Sequence, residues 1–348
     1  MDSRERVRLA LAGERPDRVP YALGFFRQDL FGAGDADELF GTDVRFVEFE
    51  PPPLQHDFLS YLETLPEDVH IGNLGQLRTY HEWSYRPEIG SAHPLAHVRS
   101  PEDLVEGLLP DLTDPARHAG IAEYVRHLHA RGLAVAAAPP HLGGELFEVA
   151  YRLRGFNQFM EDLLTRGALV DYLLDQLGAM LVGNALVLAH AGVDVLLLDD
   201  DVASPRGLMI SPVVWQRFFK PRLAEVISTV REAAPDMLAF YHSDGDFTRI
   251  LPDLVEIGVQ VVNPLQPDCM DAAAIREAYG DRLAFWGTVG TARLWDEGTA
   301  EDVRAEVKLR LTTLGQAGLL LSPAYDIDFA PRDNVTAFVD AARTGGGA

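Results

Sequence analysis

Short apolar runs, each closed by a cluster of polar or turn-forming residues, recur along the second half of the chain. Leu133–Ala138 ends in Pro139-Pro140-His141, and Val193–Leu198 ends in Asp199-Asp200-Asp201. Met237–Tyr241 stops at His242-Ser243-Asp244-Gly245, and Val259–Val262 stops at Asn263-Pro264. Leu283–Trp286 gives way to Gly287-Thr288, and Leu319–Leu321 to Ser322-Pro323. Continuous apolar runs of this length, bounded by turn signals, read as strands buried on both faces. Between them lie segments with helical periodicity: Leu169–Ala191, Pro212–Ala233, Thr248–Ile257, Ala272–Tyr279, Ala300–Leu314 and Asn334–Ala342. Pro212 directly after Ser211 reads as an N-cap followed by a helix-starting proline.

Strand and helix in alternation imply an α/β protein with a parallel sheet and right-handed crossovers. With an earlier apolar run at Val19–Phe25, about seven or eight such units can be counted, the number a (β/α)8 TIM-type barrel requires. An open doubly wound sheet fits less well, because no Gly-x-Gly-x-x-Gly turn follows the first strand. Residues 28–130 break the rhythm. They are rich in proline and aromatics (Pro51-Pro52-Pro53, Trp83, Tyr85, Pro87) and carry strand-like pieces at Val44–Phe49 and Tyr80–Tyr85. This stretch reads as an N-terminal insertion capping the barrel mouth, with residues 1–348 forming one domain.

Composition narrows the partners. The chain has 348 residues, a hydrophobic fraction of 47% and a formal net charge of −23, which disfavours nucleic acid and anionic membranes. No stretch of about 18 residues is wholly apolar and uncharged, so no membrane span is expected. The first 18 residues are charged, with no apolar signal core. A single cysteine, Cys269, leaves no internal disulfide, and a cytoplasmic location is expected.

The strand ends hold the candidate chemistry, because parallel barrels place their sites at the carboxyl ends of strands. His242 and Asp244 stand two residues apart at one such end and suit metal binding or proton transfer. Asp199, Asp200 and Asp201 crowd another; alternation sends Asp199 and Asp201 to one side and Asp200 to the other. Three carboxylates cannot all stay unpaired in one low-dielectric pocket. Arg27, between aromatics at a strand end, suits a single anionic group. His141 and Tyr325 are candidate substrate contacts, as is Tyr241, for which packing is the simpler role.

Several segments together resemble the uroporphyrinogen decarboxylase superfamily. They are Ser3-Arg4-Glu5-Arg6-Val7, Pro16-Asp17-Arg18-Val19-Pro20, Ser211-Pro212 with Phe219-Lys220-Pro221, Tyr241-His242-Ser243-Asp244-Gly245, Asn263-Pro264-Leu265-Gln266-Pro267 and Phe285-Trp286-Gly287-Thr288. The resemblance implies a TIM-type barrel, a homodimer and one of two chemistries: decarboxylation of uroporphyrinogen, or zinc-dependent methyl transfer involving corrinoid proteins. It also implies Asp200 as a substrate-facing acid. The decarboxylases carry an arginine-rich segment after the first strand, where this chain reads Gly24-Phe25-Phe26-Arg27-Gln28-Asp29, with one arginine. The methyltransferases resemble one another in a His-x-Cys strand end and a second cysteine after the last strand. Here those positions read Asp244 and Ser322. Strand order then suggests His242, Asp244 and Cys269 as nitrogen, oxygen and sulfur ligands to zinc, with an open fourth position. Taken together, the expectation is a methyltransferase acting on a small methyl donor or a corrinoid partner, with His242, Asp200 and Asp244 catalytic. The alternative is a lyase decarboxylating a small organic acid, with Arg27 as substrate clamp.

Overall fold

The computed structural model describes residues 1–28, 30–32, 34–50, 93, 95–104, 113–140 and 144–345. Its strands, in chain order, begin with β1 (Val44–Phe46), β2 (Ala134–Ala137) and β3 (Val195–Asp199). A small antiparallel hairpin, β4 (Ala203–Ser204) and β5 (Gly207–Leu208), follows. The remainder are β6 (Leu238–His242), β7 (Val261–Asn263), β8 (Ala284–Trp286) and β9 (Leu319–Leu320). Seven of them form one curled, wholly parallel sheet in the order β1-β2-β3-β6-β7-β8-β9. Its two edges are linked through Pro20–Ala22. The Ala22 N–H donates to the Leu321 carbonyl at 2.9 Å, and the Asp43 N–H, just ahead of β1, donates to the Tyr21 carbonyl at 3.0 Å. The expected first strand, Val19–Phe25, is thus reduced to a single parallel bridge between Tyr21 and Leu321.

Strand alternation separates two cores. Inward residues, among them Phe46, Ala136, Val195, Leu197, Phe240, Val261 and Trp286, fill the lumen. Their neighbours Val135, Leu196, Leu198, Tyr241, Val262 and Phe285 pack outward against helices. Helix Ser3–Leu11 adds Val7 and Leu11 to the lumen cluster. Its Arg4 N–H donates to the Gly132 carbonyl and its Ala10 carbonyl accepts from the Gly318 N–H, both just ahead of strands. The helix therefore covers the amino-terminal end of the barrel, leaving the carboxyl end for chemistry.

The helices follow the periodicity closely, Ala272–Tyr279 and Ala300–Leu314 to the residue. The expected helix Pro212–Ala233 is instead two, Pro212–Phe218 and Lys220–Ala233. Pro221 causes the break: it has no N–H for the carbonyl four residues back, and its ring would strike that carbonyl. Helix Gly167–Ala191 is long and apolar enough, by length and composition, to cross a membrane, and half of that stretch is buried. It packs on Ile121–Ala130 and Lys220–Ala233. One correction concerns the insertion expected at 28–130. Val44–Phe46 is a barrel strand paired with β2, and Ile121–Ala130 packs on β2, so both belong to the barrel wall. The piece Tyr80–Tyr85 and the prolines at 51–53 lie outside the described residues.

A buried ionic knot fastens the closed end. The fully buried Asp43 accepts hydrogen bonds from Arg6 Nη1 at 2.8 Å, Arg18 Nη1 at 2.7 Å and Nη2 at 2.8 Å, Ser3 Oγ at 2.7 Å and the Tyr21 N–H at 3.0 Å. One carboxylate so joins the plugging helix, the closing segment and β1. Removing it leaves two arginines facing a buried site with no anion, which typically costs several kcal/mol. Asp43→Ala is expected to lower stability by about 3–5 kcal/mol in denaturant unfolding. A loss below about 1 kcal/mol would mean that the knot is not what holds the barrel end.

Candidate functional site

At the open end, three neighbouring strands set three polar side chains in a row. In the parallel register Asp199 of β3 lies beside His242 of β6, and His242 lies beside Asn263 of β7. His242 continues the inward row of Phe240 and so sits at the top of the lumen filling. Its ring stacks on Phe25, centroids 4.2 Å apart and planes 23° from parallel.

The imidazole is held by its far nitrogen. His242 Nδ1 and Asn263 Oδ1 are 2.5 Å apart, and Asn263 Nδ2 donates to the Trp286 carbonyl at 2.8 Å. That second bond sets which end of the amide faces the ring, so Nδ1 is the protonated donor. Nε2 is left facing carboxylates: Asp201 Oδ1 at 3.6 Å, Asp199 Oδ1 at 3.8 Å and Asp244 Oδ1 at 3.9 Å. Burial disfavours a charge on this ring, but the carboxylates of Asp199, Asp201 and Asp244 together outweigh it and raise the His242 pKa to about 9.

The acids pay for their crowding, and burial is the dominant cause. It pushes Asp199 up to about 7, offset partly by His242 and reinforced by Asp201 and Glu148. Glu145 is raised well above the usual range by burial and then by Asp199 and Asp200. Its Oε2 accepts the Asp199 N–H at 2.5 Å, while its Oε1 has no hydrogen-bond partner. Glu148, also raised to about 7 by burial and by Asp201, binds Tyr151 Oη and Arg152 Nη2 through Oε1.

The loop after β6 is fixed by short polar links. Asp201 Oδ1 accepts the Asp244 N–H at 2.5 Å, and Gln266 bridges Asp244 Oδ1 at 2.7 Å and the Gly245 N–H at 2.8 Å. Gly245 has φ +80°, and a Cβ there would stand 2.5 Å from the Ser204 backbone, so both conformation and space demand glycine.

Several expected residues take other places. Asp200 is turned out of the lumen and caps helix Phe147–Arg154, accepting the N–H groups of Phe147 and Glu148 at 3.0 Å each and of Leu146 at 3.4 Å. It is therefore a helix anchor in this structure, and the acids that face His242 are Asp199, Asp201 and Asp244. Tyr241 is buried on the outward face of β6, its hydroxyl donating to the Asp200 carbonyl at 3.3 Å. Arg27 is exposed, with Nη2 donating to the Gly34 carbonyl at 3.1 Å. Cys269 does not join His242 and Asp244 as a ligand set. It packs half-buried against the outer core, its Sγ 3.7 Å from Gln266 Oε1. Tyr325 donates to Asp268 Oδ2 at 3.0 Å, and His141 lies outside the described residues.

Among the described residues, the metal-capable atoms that come together belong to Asp199, Asp201 and His242, all within 4.8 Å of one another. Sequence reasoning missed Asn263, Glu145 and Glu148. Asn263 was visible as a strand-end residue, whereas nothing in the spacing of the two glutamates marks them.

A parallel barrel with its polar cluster at the carboxyl ends of β3, β6 and β7 defines the architecture of a TIM-barrel enzyme. Residues 94–345 match the uroporphyrinogen decarboxylase (URO-D) family, and the chain belongs to that family. It is 26% identical over 195 residues to the methylcobamide:CoM methyltransferase MtaA of Methanosarcina barkeri, an alignment covering 56% of this chain and 54% of that relative. The chain thus spans about half the length of that curated relative. To the uroporphyrinogen decarboxylase of Hordeum vulgare it is 23% identical over 272 residues, covering 72% of this chain and 80% of the other. A solved methyltransferase from Methanosarcina mazei shares the fold over the full length of both chains, with a TM-score of 0.66 at 20% identity.

The role of Asp200 gives a stability test. Its carboxyl, raised to about 7 by burial against the pull of the Phe147 and Glu148 N–H groups, keeps its proton in the folded chain well above the unfolded value of 3.8. A raised acid favours folding fully at low pH, and that contribution is lost as the pH climbs through 7. Asp200→Asn cannot titrate, so part of the wild-type decline in stability between pH 4 and 7 should vanish from the variant's urea midpoints. An unchanged pH profile would show that Asp200 titrates normally.

Proposed function

We propose that this chain is a methyltransferase, moving a methyl group between a corrinoid partner protein and a small acceptor at the His242 pocket. The observation that carries this reading is the charge of the pocket. Asp199, Asp201 and Asp244 surround His242, and Arg27 is directed elsewhere. A tetrapyrrole bearing many carboxylates would have to lose hydration beside these acids, and the described residues place no row of cations there to replace it. The lyase reading on a small acid loses its clamp for the same reason. The similarity to the methylcobamide:CoM methyltransferase MtaA supports methyl transfer as the reaction class.

The corrinoid, when its carrier docks, supplies the reactive methyl carrier. The chain's own residues would shape what receives it. Asn263 holds the imidazole so that Nε2 faces the pocket's carboxylates, and Phe25 excludes water from one ring face. Asp201 and Asp244, at the pocket's wetter edge, would take the proton of an acceptor S–H, O–H or N–H. A zinc ion held by one histidine and two thiolates, which the resemblance implies, does not fit these residues. Asp244 and Ser322 occupy the cysteine positions, and Ser322 Oγ donates to the Gly24 carbonyl at 3.4 Å.

The test is an assay with methylcobalamin as surrogate donor and a panel of thiol, phenol and amine acceptors, followed by loss of the methylcobalamin absorbance. Acceptor-dependent demethylation is expected, with His242→Ala slower by about 100-fold or more and Asn263→Ala by about 10–100-fold. Decarboxylation of uroporphyrinogen without any methyl transfer would overturn the proposal.

A further inference from the structure

We propose that Asp199, Asp201 and His242 bind one divalent first-row metal ion through two carboxylate oxygens and one imidazole nitrogen, with no sulfur ligand. The site replaces the one-histidine, two-thiolate arrangement rather than reproducing it, and it stands whether or not the chain transfers methyl groups.

Three independent observations meet at this point. The first is spacing. His242 Nε2 lies 3.6 Å from Asp201 Oδ1 and 3.8 Å from Asp199 Oδ1, too far for hydrogen bonds. Two ligands at bond lengths of about 2.1 Å stand about 3.4 Å apart around a tetrahedral ion, so each carboxylate oxygen need close on Nε2 by only a few tenths of an ångström, and all three ligand atoms already lie within 4.8 Å of one another. The second is an orphan. Asp199 Oδ1 is buried, its side chain only 10% exposed, and it has no hydrogen-bond partner. A buried carboxylate oxygen without a donor is costly, and an ion at the centre of the group would satisfy it. The third is the support behind the ligands. Nδ1 of His242 donates to Asn263 Oδ1, whose amide is itself fixed by Trp286, so Nε2 is turned to the carboxylates, and a bound ion would take the place of its proton. Outer partners of this kind set the tautomer and orientation of metal-binding histidines.

The donor set bears on the choice of ion. Carboxylate and imidazole ligands suit Mn2+, Fe2+, Co2+ and Zn2+, whereas soft thiophilic ions prefer sulfur. The cysteine has its own place: Cys269 Sγ contacts Gln266 and lies outside the group of ligand atoms. Three protein ligands leave open coordination positions, as in catalytic sites.

The experiment uses the full chain, stripped with chelator and dialysed, then titrated with Mn2+ while free Mn2+ is followed by electron paramagnetic resonance. One saturable Mn2+ per chain is expected, released on addition of Zn2+. Asp199→Asn and Asp201→Asn should each weaken it about 10-fold or more, and Cys269→Ser should leave it unchanged. Far-UV circular dichroism establishes that each variant is folded. Asp201, with a quarter of its side chain exposed, serves if Asp199→Asn does not fold. Absence of saturable Mn2+ and Zn2+ binding in the wild type overturns the proposal, and so does loss of the ion in Cys269→Ser. Because binding is read directly, failure of the methyl-transfer assay leaves this result standing.

Discussion

The pairing of β3 with β6 governs the working end of this protein. It sets Asp199 alongside His242 and, through the next residue of the same parity, brings Asp201 to the same nitrogen. β7 completes the row with Asn263 on the other side of the ring. A slip of one residue in either pairing would turn His242 outward to the helices and bring Tyr241 into the lumen. The cluster therefore depends on register, and register is held by the apolar residues beneath it. Phe240, Leu197, Val195 and Trp286 fill the lumen and leave only the last inward level polar.

The two barrel ends use charge differently. At the closed end Asp43 and Asp194 are each matched by cations. Asp43 is met by Arg6 and Arg18, and Asp194 by Arg4 and His129 at 2.9 Å each. At the open end acids outnumber cations among the described residues, and burial lifts Asp199 and Glu148 to about 7. Matched pairs secure a structure, whereas unmatched ones hold an unrealised capacity for a proton or a cation. That division agrees with the general placement of stability and chemistry at opposite ends of such barrels.

Much of the fold was legible in the sequence, because strands buried on both faces appear as short apolar runs and each ended where its polar cluster began. β1 was harder to recognise. Only three residues long and including Arg45, it lies beside a proline-rich stretch, and so its run read as part of an insertion. The helix break at Phe219 needed only the rule for Pro221. In the site, His242 and Asp244 stood out, and alternation already grouped Asp199 with Asp201. Choosing Asp200 gave weight to resemblance over parity. In the structure Asp200 serves the amino terminus of helix Phe147–Arg154, a three-dimensional contact that one-dimensional spacing does not carry. The zinc expectation followed strand adjacency to Cys269, but adjacent strand ends do not ensure side chains that converge.

The most direct measurement of the central claim is X-ray absorption at the zinc edge on protein loaded with one equivalent of zinc. The expected spectrum shows a first shell of only oxygen and nitrogen at about 2.0–2.1 Å. A sulfur scatterer at about 2.3 Å would contradict it, placing Cys269 on the metal and the carboxylates outside the coordination sphere.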